Sequence, residues 1–207
     1  MNYKRTEETE SILKEVLKCI DDNGGIAKKE QLAQIGVDYR RILDFVESGD
    51  IYRIKNGYYT YNVDRFTEEA LVSKLFADAV LCMESALYAY GYISRKPFGF
   101  HLAVDKNTSK SRFKIEYPKI IPYYTEPEVL ELGVSEIEYE GFTFKVYDKD
   151  RLICDCLKYE SKLNREDFKE AIQSYIKDEE KDIAALMDYA RERKVLKRVQ
   201  GLIGVWL

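Results

Sequence analysis

The chain has 207 residues, 45% hydrophobic and 34% charged, a composition that supplies a packed core and excludes a disordered chain. Its 33 Lys+Arg against 37 Asp+Glu leave a net charge of −4, which excludes a protein whose whole surface grips a polyanion but leaves room for a local basic patch. The length fits one large domain or two small ones. Met1 to Glu15 is charged, and no run of about 18 apolar residues occurs, so the expected location is the cytoplasm, with no membrane partner.

Three helical signals open the chain. Ile12, Leu13, Val16, Leu17 and Ile20 make the stripe of an amphipathic helix, which Asn23-Gly24-Gly25 stops. A short helix over Lys28 to Gln34 follows, with Leu32 inward and Gly36 as its stop. Asp38 then caps a third helix whose inner face is Ile42, Phe45 and Val46 and whose end is Gly49. Immediately afterwards, two β-prone runs within Ile51 to Tyr61 flank Asn56-Gly57. Those two residues suit the positive φ values of a type I′ turn and predict a tight hairpin.

The remainder reads as mixed α and β. Thr67 caps a helix over Glu68 to Ala77, Val80 to Cys82 is a short apolar run, and Ser85 caps a helix stopped by Gly91. Strand alternation appears over Phe100 to Val104, Phe113 to Tyr117, Glu136 to Tyr139 and Phe142 to Tyr147, the last two around Glu140-Gly141. Asp148 caps a helix over Arg151 to Tyr159. Asn164 with Asp167 forms a variant capping box, and two helices follow over about 181–193 and 195–203.

The predicted fold class is therefore α+β: an N-terminal winged helix-turn-helix over residues 1–78, then a mixed α/β domain over 79–207 that ends in a helical bundle. In such a unit the third helix enters the DNA major groove and the hairpin wing lies along the backbone or minor groove. With Ile42, Phe45 and Val46 inward, the outward set is Arg40, Arg41, Asp44, Glu47 and Ser48. Arg40 and Arg41 occupy the first turn, and arginine suits the N7 and O6 acceptors of guanine. On the wing Arg53, Lys55, Asn56 and Tyr58 are candidates for phosphate or sugar contacts, as are Lys28 and Lys29 at the start of the second helix. Asp38 to Tyr61 balances its four basic residues against Asp38, Asp44, Glu47 and Asp50, so the expected phosphate footprint is small.

A second basic stretch runs from Arg95 to Lys119 and includes Lys96, Lys106, Lys110, Arg112 and Lys114; solvated strand edges and a second polyanion or partner surface both explain it. The C-terminal cations Arg191, Arg193, Lys194, Lys197 and Arg198 read as residues that the helix dipole favours at helix ends. The cysteines Cys19, Cys82, Cys154 and Cys156 lie in apolar periodic segments and read as buried thiols. A zinc site is not expected, because Cys-x-Cys on a helix diverges and the chain has a single histidine, His101. No catalytic residue, metal or cofactor is called for: His101 sits in a strand between Phe100 and Leu102, and no phosphate-cradling glycine loop occurs.

Gly24-Gly25-Ile26-Ala27, Arg40-Arg41-Ile42-Leu43, and Gly49-Asp50-Ile51-Tyr52-Arg53-Ile54-Lys55-Asn56-Gly57-Tyr58-Tyr59 resemble the AbiEi antitoxins of type IV, abortive-infection toxin-antitoxin systems. The resemblance continues in Ser85-Ala86-Leu87-Tyr88-Ala89-Tyr90-Gly91, in Val146-Tyr147-Asp148 to Asp155, and in Leu186-Met187-Asp188-Tyr189-Ala190. It implies a DNA-binding autorepressor that acts on double-stranded promoter DNA with inverted repeats, as a monomer in solution with cooperative binding on DNA. It also implies a C-terminal domain that neutralises an AbiEii-like nucleotidyltransferase toxin without a tight complex, in phage resistance. Two departures stand out: Ala27 replaces a Ser or Thr helix cap, at an expected cost of about 1 kcal/mol, and Tyr90 replaces a histidine. Two other readings compete. One is an enzyme acting on nucleic acid or nucleotides through acidic residues such as Glu136, Glu138, Glu140, Asp148 and Asp150. The other is a transcription regulator that senses a small ligand.

Overall fold

A computed structural model of the chain describes residues 6–115 and 117–204. It divides into two compact units, one running to Thr67 with a short stretch at 114–117, the other comprising 68–113 and the chain from Pro118 on.

In the first unit, helix α1 (Glu7–Asp22) turns Val16, Cys19 and Ile20 inward. Its stop is as the sequence suggests: Gly24 and Gly25 take φ of 67° and 87°, and the Gly25 N–H returns to the Ile20 carbonyl at 2.8 Å. Strand β1 (Ala27–Lys28) leads into α2 (Lys29–Gln34). Helix α3 (Tyr39–Glu47) is capped by the Asp38 carboxylate, which accepts from the Arg41 N–H at 2.9 Å. Strands β2 (Tyr52–Lys55) and β3 (Tyr58–Thr60) complete an antiparallel sheet in the order β1-β3-β2. Val16, Ile20, Ala27, Leu32, Val37, Ile42, Phe45, Ile51 and Tyr59 form one core. This order of helices and hairpin fits a winged helix-turn-helix.

Two local expectations change here. Ala27 stands at no helix cap: it is fully buried and pairs with Tyr59 across β1 and β3. The α2 cap is Lys28, whose N–H donates to the Gln31 side-chain carbonyl at 2.7 Å. The hairpin forms, but its turn is not type I′. Gly57 takes φ of 79° while Asn56 is absent from the described residues with positive φ. The pairing shifts by one residue between Arg53 and Lys55, a bulge that restores the strand twist a type I′ turn supplies by itself. The turn with two positive φ values occurs instead at Glu140 and Gly141, at 51° and 80°.

The second unit is built on a five-stranded sheet in the order β6-β5-β4-β8-β7. Its elements are α4 (Glu68–Leu75), β4 (Val80–Leu81), α5 (Met83–Ala89), β5 (Phe100–Asp105), β6 (Ile120–Thr125), α6 (Pro127–Leu130), β7 (Val134–Tyr139), β8 (Phe142–Tyr147), and the helices α7 (Lys149–Lys158), α8 (Arg165–Lys177), α9 (Ile183–Glu192) and α10 (Leu196–Leu202). Strands β5 and β6 run parallel, as do β4 and β8, while β4 with β5 and β7 with β8 are antiparallel. Residues 68–78, placed with the N-terminal domain in the sequence reading, lie in this unit because Leu71, Val72 and Leu75 of α4 are buried and α4 packs on β8.

The strand expected over Phe113 to Tyr117 does not form in its described residues; Phe113 ends a 3₁₀ turn and Glu116 lies outside the described residues. The strand beside β5 is β6, in register from Phe100↔Ile120 to Asp105↔Thr125. Ser85 is not a cap but the third residue of α5. Its hydroxyl accepts from the His101 N–H at 2.8 Å, tying the helix to β5. Asp148 and Asn164 cap α7 and α8 as expected, through Arg151 N–H at 2.7 Å and Glu166 N–H at 2.8 Å. All four cysteines are buried and free. Among the described residues no helix is long and apolar enough to cross a membrane.

Candidate nucleic-acid interface

The amphipathic geometry of α3 sorts its side chains. Ile42 and Phe45 are buried, so the opposite face carries Arg40, Leu43, Asp44 and Glu47, with Tyr39 on one flank and Arg41 on the other. Arg40 is exposed in the first turn and has no ion-pair partner among the described residues. Arg41, expected beside it, is half-buried and lies 3.7 Å from the Glu8 carboxylate of α1. Asp44 is exposed on the outward face, whereas the Ser48 hydroxyl is spent at the helix end, donating to the Phe45 carbonyl at 3.2 Å and to Asp50.

The cations around α3 are organised by tyrosine rings. Lys29 at the start of α2 stacks over Tyr39 at 4.5 Å. On the hairpin, Tyr58 takes Lys55 at 4.7 Å on its ring, and Lys28 lies 5.8 Å from the same ring. Lys28 and Lys29 are exposed, but Lys55 is buried and is not the open phosphate contact the sequence suggested. Arg53 and Asn56 are exposed on the wing and bound to each other, guanidinium to amide oxygen at 2.6 Å, which stiffens the turn. The structure thus brings Lys28, Lys29, Arg40, Arg53, Asn56 and Tyr58 onto the α2, α3 and hairpin surfaces, and leaves Arg41, Lys55 and Ser48 in other employment. Sequence reading passed over the exposed Tyr39, Leu43 and Tyr52. Helical spacing alone finds Leu43, about 60° from Arg40 on the α3 wheel, while Tyr39 lies about 100° from Arg40 on the side away from Arg41.

The second basic stretch is largely neutralised. Arg95 binds the buried Asp167, Lys96 lies 3.5 Å from Glu69, Lys106 pairs with Glu126, and Arg112 pairs with Asp78. Lys110 and Lys114 are exposed and carry no such partner among the described residues.

The acidic residues of the enzymatic reading do not converge. Glu136, Glu138 and Glu140 are exposed positions of the hairpin at the sheet edge, and Glu138 accepts from the Thr143 hydroxyl. Asp148 caps α7 and accepts from the Tyr189 hydroxyl at 2.9 Å. Asp150 is buried, accepting from the Tyr175 hydroxyl at 2.6 Å and the Asp182 N–H at 3.1 Å; burial raises its pKa against the lowering effect of those bonds. His101 is buried with Nδ1 2.6 Å from the Glu84 carboxylate and its ring edge-on to Tyr123. Tyr90 follows α5; burial first, then the Asp148 carboxylate, raises its phenol to about 12.

No curated protein matches the chain. Among solved structures, that of the RV2827C protein from Mycobacterium tuberculosis is similar in fold, with a TM-score of 0.64 over 98% of this chain and 83% of that one at 14% identity. A family described as "Transcriptional regulator, AbiEi antitoxin" matches residues 14–62, from the middle of α1 through the hairpin. That segment, less than half of the chain, carries the helices and hairpin described above and is similar to the AbiEi antitoxin transcriptional regulators.

Proposed function

We propose that the protein represses its own toxin-antitoxin operon by binding inverted repeats in the promoter through the first unit, and that the remainder of the chain neutralises a nucleotidyltransferase toxin. The observation that carries the DNA-binding half is Arg40: an exposed guanidinium in the first turn of α3, without an ion-pair partner among the described residues, in the same unit as the exposed Lys28, Lys29, Arg53 and Asn56 and within the segment matched to the regulator family. The acidic residues Asp44 and Glu47 share the outward face with Arg40, so affinity rests on a few contacts rather than on a general positive field. Cooperative loading of monomers on two half-sites supplies the rest of the affinity. The protein acts as a regulator and not as an enzyme, in the type IV manner, without a tight complex with the toxin.

A mobility-shift titration on the operon promoter tests this. Arg40→Ala is expected to weaken specific binding by about 1–3 kcal/mol, and Arg41→Ala by much less. With Lys28, Lys29 and Arg53 as phosphate contacts, log K should fall with log salt at a slope of about −3 per protomer. Unchanged binding by Arg40→Ala would remove α3 as the reading helix. Co-expression of the full chain with the neighbouring toxin, with and without Arg40→Ala, separates repression from neutralisation, because only repression should be lost.

A further inference from the structure

Three cations of the second unit come together where its C-terminal helices begin and end. A cleft of about 520 Å³ is lined by Lys158, Glu160, Leu163, Arg165, Phe168 and Arg198, among others. Lys158 closes α7, Arg165 is the first residue of α8, and Arg198 is the third residue of α10. The helix dipole favours a cation at the first of these positions and opposes one at the other two. Arg165 and Arg198 are therefore not helix-end decoration.

Glu160 is the one carboxylate among the cleft's lining residues, and it is already bound by Arg198, whose other terminal nitrogen donates to the Leu157 carbonyl. Arg165 has no partner among the described residues. Next to Lys158 stand Arg193, Arg151 and Lys194, opposed by Asp155. Partial burial first, then the Arg193 guanidinium, holds the Lys158 ammonium below its ordinary pKa. Asp155 cannot balance this charge: it is shared between Arg151 at 3.3 Å and Arg193 at 2.6 Å, and each of these buried guanidinia keeps one terminal nitrogen without a partner. An anion is the complement to such a site, and the cleft has the volume of a small-molecule pocket. Phe168 and Leu163 add an aromatic and an apolar wall to the cationic one.

We propose that this cleft binds a nucleotide, with Lys158, Arg165 and Arg198 meeting the phosphate oxygens and Phe168 with Leu163 receiving the base. Arg198 arrives pre-oriented by Glu160 and the Leu157 carbonyl, so little side-chain freedom is lost on binding. The site is independent of the promoter-binding surface.

The test uses the full chain and isothermal titration at low ionic strength, where exposed charges are least screened. The probes are ATP, GTP, CTP, UTP and inorganic triphosphate. At least one nucleoside triphosphate should bind saturably and more tightly than inorganic triphosphate. Arg165→Gln and Lys158→Gln, both at exposed side chains, should each weaken it by about tenfold, the value of one charged hydrogen bond. Their ligand-free melting and promoter binding should match the parent, which separates failure of this site from failure of the repressor reading. Arg198→Lys keeps the charge and should retain partial binding. The proposal is overturned by absence of saturable binding to any nucleotide, by equal affinity for inorganic triphosphate, or by full binding in the Arg165→Gln, Lys158→Gln double variant.

Discussion

Replacing Asp155 by Asn probes the charge balance inside the second unit. Arg151, Asp155 and Arg193 are 0%, 3% and 3% exposed, so none of the three charges is solvated by bulk water. The carboxylate accepts from Arg151 Nε at 3.3 Å and from Arg193 Nε at 2.6 Å, and it is the single anion shared by the two guanidinia. Arg151 has further support: its Nη1 donates to the Val129 and Leu132 carbonyls at 2.8 and 2.7 Å, and its guanidinium lies 4.3 Å over the Tyr147 ring. Removing the negative charge leaves two buried cations facing each other, a situation that costs about 3–5 kcal/mol in buried pairs. For a chain of this size the melting transition should fall by about 6–20 °C, taking about 2–4 °C per kcal/mol. Arg193→Met is the informative contrast. It leaves one cation with one anion and fills the same space with apolar volume, so it should cost less than about 2 kcal/mol. Calorimetry and urea unfolding of the two variants decide the matter. A loss below about 1 kcal/mol for Asp155→Asn, or a larger loss for Arg193→Met than for Asp155→Asn, would refute the charge accounting.

Three other perturbations follow from single contacts. Burial alone would raise the Asp178 pKa, but the Lys149 ammonium at 2.8 Å and the Tyr92 hydroxyl bring it down to about 2. A folded pKa below the unfolded one contributes stability above about pH 4 that disappears as pH falls towards 2; Asp178→Asn should flatten that part of the stability-pH curve, and an unaltered slope would dismiss the bond. Gly25→Ala places a Cβ 2.6 Å from Phe66 Cζ at φ of 87°, so unfolding of the first unit should lose about 1–3 kcal/mol, with a neutral result excluding this backbone strain. Ala27→Thr, which restores the residue type expected of a helix cap, should destabilise by about 1–3 kcal/mol through overpacking of a fully buried strand position. A gain in melting temperature would return Ala27 to the cap.

The first unit was legible because its signals are local. Caps, glycine stops and an apolar stripe act within a few residues of one another, so Asp38, Gly24-Gly25 and Ile42 with Phe45 mean the same in the chain as in the fold. Strand choice in the second unit depends on partners distant in sequence. Phe113 to Tyr117 and Ile120 to Thr125 have comparable β character, and Pro122 counts against the second run. Pairing with β5 decides for the second, and Pro122 is tolerated because β6 lies at the sheet edge. The roles of many of the chain's 17 tyrosines were opaque for the same reason. Tyr92, Tyr147, Tyr175 and Tyr189 send their hydroxyls to Asp178, the Leu130 carbonyl, Asp150 and Asp148, which are 17 to 86 residues away.

The candidate sites show how much the place of a residue on its helix decides. Arg41 and Arg40 are neighbours in sequence and 100° apart on α3, enough to send one guanidinium to Glu8 of α1 and leave the other exposed. Lys197 and Arg198 were credited to a helix C-terminus, where the dipole explains a cation without further function. The break expected at residue 194 is there, with Lys194 at φ of 60°, and it puts both residues in the first turn of α10 rather than at a helix C-terminus. The dipole there acts against them, and the same cations change from an electrostatic convenience into residues whose placement needs a ligand, a carboxylate or a carbonyl to offset it. Arg198 has Glu160 and the Leu157 carbonyl; Arg165, in the first turn of α8, has neither, and that difference makes Arg165→Gln the sharper probe of the cleft.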